Sequence, residues 1–440
     1  MPRSLAVAAL AVAVAALFLA VPRRRTVHRL PAGVIELHSP IAVDASSELR
    51  GAPSGTVLHL AADFAGRAAV VVRGDNVTLR GFTIDGNRAA LETRAGLPPS
   101  NVSFAHFTRA NGVLAEGVRG LTIDGLRCRE IAGFAVLVSR TRSADIRRVW
   151  VINSGSRNLL GRNNSTGGIL LEEGTSDFRV TQCVLLGVRG NGIWTHSLYS
   201  SPRNARGLIA FNRFRVIGRD AIQAGHATGI SVFANSGRRI GFPVEEVDIE
   251  NGAISAAIDT AGNVDSSSYT ANRFSEIDGK CIDLDGFHDG EVRANQCFNR
   301  APAAAYRYGH YGITMNNSNP DMRSRNIRLF DNLIDGTLYG GLFVIGCGHT
   351  IARNRLLNLD GSHCNENAAH YGCYYAPADP EILEAGIYLG RGGALPAPAR
   401  DNLIDDNLIT GFQMQKHCIL AAPGVDARTN TIANNICRNQ

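Results

Sequence analysis

The sequence predicts an all-β fold: a single-stranded right-handed parallel β-helix, a solenoid with coils of about 22–25 residues and loop insertions. Three observations predict it. The first is a recurring phrase of Asn, a variable residue, an apolar residue, a short gap, Gly, and then a short strand. It reads NRFRVIGRDAIQA from Asn212, NRFSEIDGKCIDL from Asn272 and NLIDGTLYGGLFV from Asn332, with degenerate copies from Asn295, Asn354, Asn407 and Asn435. The second is short runs of alternating apolar and polar residues cut by Gly, Asn and Asp, which exclude long helices. The third is composition. Of 440 residues, 45% are hydrophobic, only 19% are charged and 47 are Gly, unlike the Glu-, Lys- and Leu-rich make-up of helical bundles. One coil cannot bury its own apolar face, so coils must stack.

Taken in order, Leu5 to Val21 is an apolar run behind Arg3 and reads as a signal peptide or N-terminal anchor within residues 1–30. It predicts a secreted, periplasmic or cell-surface protein that meets a membrane only through that segment. Residues 33–440 form the β-helix domain. GDNVTLRGFTIDGNR (74–88), GVRGLTIDGLRCREIAGFAVLV (117–138) and GTSDFRVTQCVLLGVRGNGIWT (174–195) supply its upstream coils. The Asn-led phrases supply the rest, their Asn residues being assigned to turns because Asn tolerates positive φ. The insertion 360–384 carries His363, Cys364, Cys373, Tyr374 and Tyr375. None of the nine cysteines forms a C-x-x-C pair, which excludes a zinc ribbon. Cys364 with Cys373, and Cys281 with Cys297, are candidate bridges in an oxidising compartment; the alternative for Cys128, Cys183, Cys281 and Cys297 is a small buried residue. A net charge of +6 suits an acidic polymer, but no basic stripe with interleaved aromatics marks nucleic-acid binding.

The N-x-[apolar]-x-x-x-G coil and the VTLRGFTIDGN segment resemble the pectate-lyase-like β-helix superfamily over roughly residues 33–440. The resemblance implies the fold and a carbohydrate as partner. It leaves pectate lyases, polygalacturonases, mannuronan epimerases, phage tailspikes and adhesins all open. GRDAIQAGHATGISV (218–232) resembles polygalacturonases through Asp220 and His226, with Arg219 where a paired Asp stands. IDLDGFHDG is similar to the D-P-H-D motif of mannuronan epimerases through Asp283, His288 and Asp289, without the Pro and with two residues inserted.

Aligning the repeats also locates a site. Ile169, Ile193, Ile222, Ile258, Ile282, Ile313, Leu342 and Ile387 are placed in one inward column. Alternation then puts Leu170, Trp194, Gln223, Asp259, Asp283, Thr314, Phe343 and Tyr388 outward. A second outward column reads Glu172, His196, Gly225, Ala261, Asp285, Asn316, Ile345 and Gly390. The middle of this face is rich in carboxylates. Asp259, Asp283, Asp285, His226, His288 and Asp289 are the candidate catalytic residues, because clustered like charges raise one pKa and set up an acid and a base. Trp194, His196, Gln223, Tyr308, His310, Tyr311 and Asn316 are candidate substrate contacts, with Trp194 and Tyr311 stacking on sugar rings. Phe343 and Tyr388 are expected to be exposed, and His349, His363, His370 and His417 to be loop or turn residues. No lysine is assigned to this face.

These residues support three readings. The first is hydrolysis of an extended polysaccharide by paired Asp residues. The second is a uronate lyase or C5-epimerase using His or Tyr. The third is a non-catalytic glycan-binding solenoid. No cofactor is required; Ca²⁺ at Asp259, Asp283 and Asp285 suits an oxygen-rich cluster.

Overall fold

The computed structural model describes residues 25–248, 254–302, 305–306, 311–363, 384–392 and 395–440. The candidates Tyr308 and His310, the bridge Cys364–Cys373, His370 and the whole N-terminal apolar run Leu5–Val21 lie outside the described residues. Among the described residues the first strand is Thr26–Arg29, which pairs in parallel with Ser47–Arg50.

Among the described residues the strands form a 27-stranded and a 14-stranded sheet, and every pairing between these strands is with the coil above or below and parallel. The larger sheet bends round a corner into two faces, so the solenoid has three. This is the right-handed parallel β-helix expected from the period. The predicted inward column is in register along its whole length, from Ile169 opposite Ile193 to Leu342 opposite Ile387. Its members are buried in one continuous apolar core. Just before it runs a column of small residues, including Gly168, Gly192, Ala221, Ala257, Cys281, Gly312 and Gly341. The chain turns into the core there, and a Cβ on Gly168 would lie 1.9 Å from the Gly192 carbonyl oxygen.

The repeating asparagines are structural, but for a different reason from the one the sequence suggests. The positive φ belongs to the residue before each, as at Phe211, Ala234, Ala271, Ala294 and Asp331. The Asn side chains point inward and stack. In Asn272, the N–H and Nδ2 both donate to Asn295 Oδ1, at 3.1 and 2.9 Å. Asn295 repeats this toward Asn332, and Asn332 toward Asn354, each at 3.0 Å. The ladder runs from Asn212 to Asn435 and satisfies backbone groups that each corner would otherwise bury unpaired. His349, expected in a loop or turn, is buried in a similar role. Its Nδ1 accepts from the Ile327 N–H at 3.0 Å and its Nε2–H donates to the Ile345 carbonyl at 2.8 Å.

Cys281 and Cys297 form a disulfide, as one of the two sequence alternatives had it, and a second joins Cys418 to Cys437. Cys128 and Cys183 are buried thiols.

The longest connections all enter one face. They precede the strands Asn111–Glu116, Ile169–Glu172, Ala256–Asp265, Ile313–Asn316 and Ile387–Leu389. Other long connections leave the same face after His196 and Asn316. In sequence, insertions therefore flank both ends of the strands on the face that carries the acidic column.

Candidate functional site

Because the register holds, Gln223, Asp259, Asp283 and Thr314 point outward on four successive coils. Gln223 is opposite Asp259, and Asp283 opposite Thr314. Their side chains are linked. Asn191 Nδ2 donates to Gln223 Oε1 at 2.8 Å, and Gln223 Nε2 donates to Asp259. Thr314 Oγ1 donates to Asp283 Oδ1 at 2.6 Å, while Lys280 Nζ holds Asp283 Oδ2. Asp285 lies two residues further along, where its Oδ1 accepts the Ser318 N–H at 2.8 Å. Asp220 lies behind this row, almost fully buried, with Oδ1 on the Ala256 N–H at 2.8 Å.

This packing sets the charges. Burial, reinforced by Asp220 and Asp283, holds Asp259 well above the usual carboxylate range. Burial pushes Asp220 up to about 6, against the pull of Arg219. Burial and the Asp283 charge raise Asp285, opposed by the bond from Ser318. Lys280 goes the other way: burial disfavours its charge, but Asp283, Asp259 and Asp285 outweigh that and raise its pKa. The row thus pairs an acid biased to stay protonated with a carboxylate locked onto an ammonium. That division of labour is what acid–base chemistry requires.

Lys280 corrects the expectation of a lysine-free groove. Tyr199 was also missed. It is 57% exposed, its ring centroid is 4.6 Å from that of His226, and its phenol is raised to about 12 by burial and the charges of Asp321 and Asp285. Tyr199 and His226 form one wall of the groove, and the connection bearing Ser318 and Asp321 forms another. His226 is held below its usual pKa, chiefly by burial. Asn316, opposite Asp285 as expected, donates to Ser318 Oγ at 3.2 Å.

Other candidates lie elsewhere or are covered. Trp194 is 8% exposed, packed beneath the short helix Phe104–Phe107 with Phe104 and Phe134, so it offers no free face to a sugar. His196 packs edge-on against Trp194 and Phe104, and burial pushes it down to about 4. Tyr311 is 2% exposed against Phe343, and Tyr388 is 1% exposed and stacked on the same ring. His288 and Asp289 form a corner network. His288 Nδ1 meets Asp289 at 2.7 Å and Nε2 meets Asn263 at 2.9 Å, while Arg325 and Asn326 hold the Asp289 carboxylate. Those bonds outweigh burial and bring Asp289 down to about 2.

The donors suit a metal poorly. Both oxygens of Asp283 are taken by Lys280 and Thr314, and the ammonium already supplies the positive charge there. Glu172, Glu173 and His196 lie close enough to share an ion. Yet Glu172 accepts the Phe104 and Ala105 N–H groups at 2.9 Å each, and Glu173 holds Leu198 and Ser201. These two carboxylates fasten loops over the face.

No family model matches the chain, and no curated protein matches it. Solved structures do. The chain is similar to the Dettilon tailspike protein, with a TM-score of 0.55 and 14% identity over 92% of this chain, and it spans 63% of that one. It is similar to PfbA, a surface adhesin of Streptococcus pneumoniae, with a TM-score of 0.53 and 10% identity over 76% of this chain and 84% of that one. It is also similar to the DFA-IIIase from Arthrobacter chlorophenolicus A6 in complex with DFA-III, with a TM-score of 0.51 and 14% identity over 92% and 88% of the two chains. At these identities the likeness is one of fold. Three parallel faces, an in-register apolar column and a stacked Asn ladder give this chain the right-handed parallel β-helix fold.

Proposed function

We propose that this protein is an exported glycoside hydrolase that cleaves an extended neutral glycan in the groove around Asp259. The observation that carries the reading is the half-buried row Gln223–Asp259–Asp283–Thr314, in which one carboxyl is biased toward its protonated form beside an ion-paired carboxylate. Asp259 is the general acid that protonates the leaving oxygen. Asp285 is the base that activates water. Asp283, held in place by Lys280, supplies the negative charge that together with burial favours protonated Asp259, against the opposing pull of the Lys280 ammonium. Tyr199 and His226 line the wall against which a sugar ring would rest.

The charge balance favours a neutral glycan. Lys280 is taken up by Asp283 and Arg219 acts on Asp220, so the row offers little free positive charge to the carboxylates that a uronate lyase or epimerase must bind. The two disulfides and the N-terminal apolar run support export.

A panel of neutral and uronate polymers, assayed for reducing ends and for absorbance at the wavelength of unsaturated uronates, tests the reading. Reducing ends from a neutral glycan, without absorbance and unchanged by a chelator of divalent cations, are expected. Absorbance rising on a uronate polymer, or cleavage abolished by the chelator, would contradict it.

A further inference from the structure

We infer that the third face of the solenoid carries a docking surface for an anionic lipid membrane, built from Arg213, Arg215, Arg238 and Arg273. The strands Val184–Val188, Arg213–Ile217, Ser236–Ile240 and Arg273–Ile277 lie side by side. One outward row reads Leu186, Arg215, Arg238 and Ser275; its neighbour reads Val184, Arg213, Ser236 and Arg273. All four arginines are exposed. They surround a hollow of about 370 Å³ with Val184 and Leu186 in its lining. At the adjoining ridge, Phe211 and Phe233 are 54% and 38% exposed, packed edge to face with centroids 5.4 Å apart.

The charge here is poorly balanced. Arg238 pairs with Glu276 at 2.9 Å, and Arg273 bonds only the neutral Gln296 side chain at 2.9 Å and covers Phe298. Among the described residues, Arg213 and Arg215 have no carboxylate partner. Some other exposed arginines are paired, such as Arg206 with Asp177 and Arg353 with Asp331. Arg215 stands directly opposite Arg238, an arrangement of like charges that a bound anion relieves.

Guanidinium groups hold phosphate in a two-pronged geometry. The apolar hollow and the bare phenyl rings add what a hydrated polyanion does not use and a lipid interface does. The surface sits on a different sheet from the acidic row, so a membrane bound here leaves that groove open.

The test is co-sedimentation of the full chain with vesicles of phosphatidylcholine alone or mixed with phosphatidylglycerol, at low and high salt. The apolar N-terminal run, with Arg23, Arg24 and Arg25 behind it, is common to the native chain and the variants, so the part of the phosphatidylglycerol preference lost on replacing the four arginines isolates the arginine face. That preference is expected to be about tenfold or more and to fall with salt. Replacing all four arginines, as Arg213→Gln, Arg215→Gln, Arg238→Gln and Arg273→Gln, removes it, whereas the corresponding four Lys replacements keep most of it. Phe211→Ser weakens binding to the mixed vesicles. A preference absent in the native chain, or undiminished in the Gln variant, overturns the proposal. So does arginine-dependent binding of dextran sulfate with no binding of vesicles, which would assign the face to a polysaccharide.

Discussion

Asp259→Asn is expected to lower glycan cleavage by about 10²–10⁴-fold, the usual contribution of a positioned general acid. The substitution keeps the size of the side chain and its contact with Gln223, so substrate binding should change little. Three readouts separate chemistry from a structural defect. The first is the leaving group. An aryl glycoside that departs without protonation should recover most of its rate in the Asn variant, because the missing proton is then unnecessary. The second is pH. Asp259 must be protonated to act, and burial with the Asp220 and Asp283 charges raises its pKa. The native rate should therefore fall as pH rises through that raised value, and this alkaline limb should vanish in the variant. The third is its neighbour. Asp285→Asn removes the base, so its loss should persist with the activated leaving group. Equal losses on both substrates for Asp259→Asn would show that this carboxyl is not the acid.

The second large effect falls on the scaffold. Asn295→Ala should destabilise the solenoid by roughly 3 kcal/mol, since it leaves buried polar groups unpaired on both neighbouring coils. Asn295 Oδ1 serves both the N–H and the Nδ2 of Asn272, and its own Nδ2 reaches the Tyr269 carbonyl at 2.8 Å. Asn434→Ala is the control. Asn434 takes the positive φ of its corner, while its neighbour Asn435 carries the ladder. It should cost about 1 kcal/mol, from the left-handed backbone and the loss of one exposed bond to Asp405. Urea unfolding followed by circular dichroism measures both. A midpoint for Asn295→Ala no lower than for Asn434→Ala would show that the ladder does not hold the coils.

The register of the groove face was legible because one column of Ile and Leu follows one column of small residues in nearly every coil. Strict alternation from that column placed Gln223, Asp259, Asp283 and Thr314 correctly. It could not place Lys280. Cys281 and Ile282 both face the core where the chain turns in, so alternation breaks one residue before the strand settles. Tyr199, Ser318 and Asp321 come from connections that have no period to align. Trp194 was misread for a related reason. It does leave the strand outward, but the helix Phe104–Phe107, four coils upstream in sequence terms, folds over it and is pinned by Glu172. The arginine face was invisible in the linear sequence because its four members come from three coils.

The measurement that tests the account most directly is the configuration of the first-formed product, followed by proton NMR as a neutral glycan is cleaved. Ala261 is opposite Asp285, so Asp259 and Asp285 are diagonal neighbours on adjacent strands. Such neighbours lie about 7–8 Å apart. A backbone spacing of that size allows the carboxyl separation of about 6.5–9.5 Å that leaves room for a water between acid and base. The account predicts an inverted anomer that only later equilibrates. A retained anomer, or an unsaturated sugar, would contradict it.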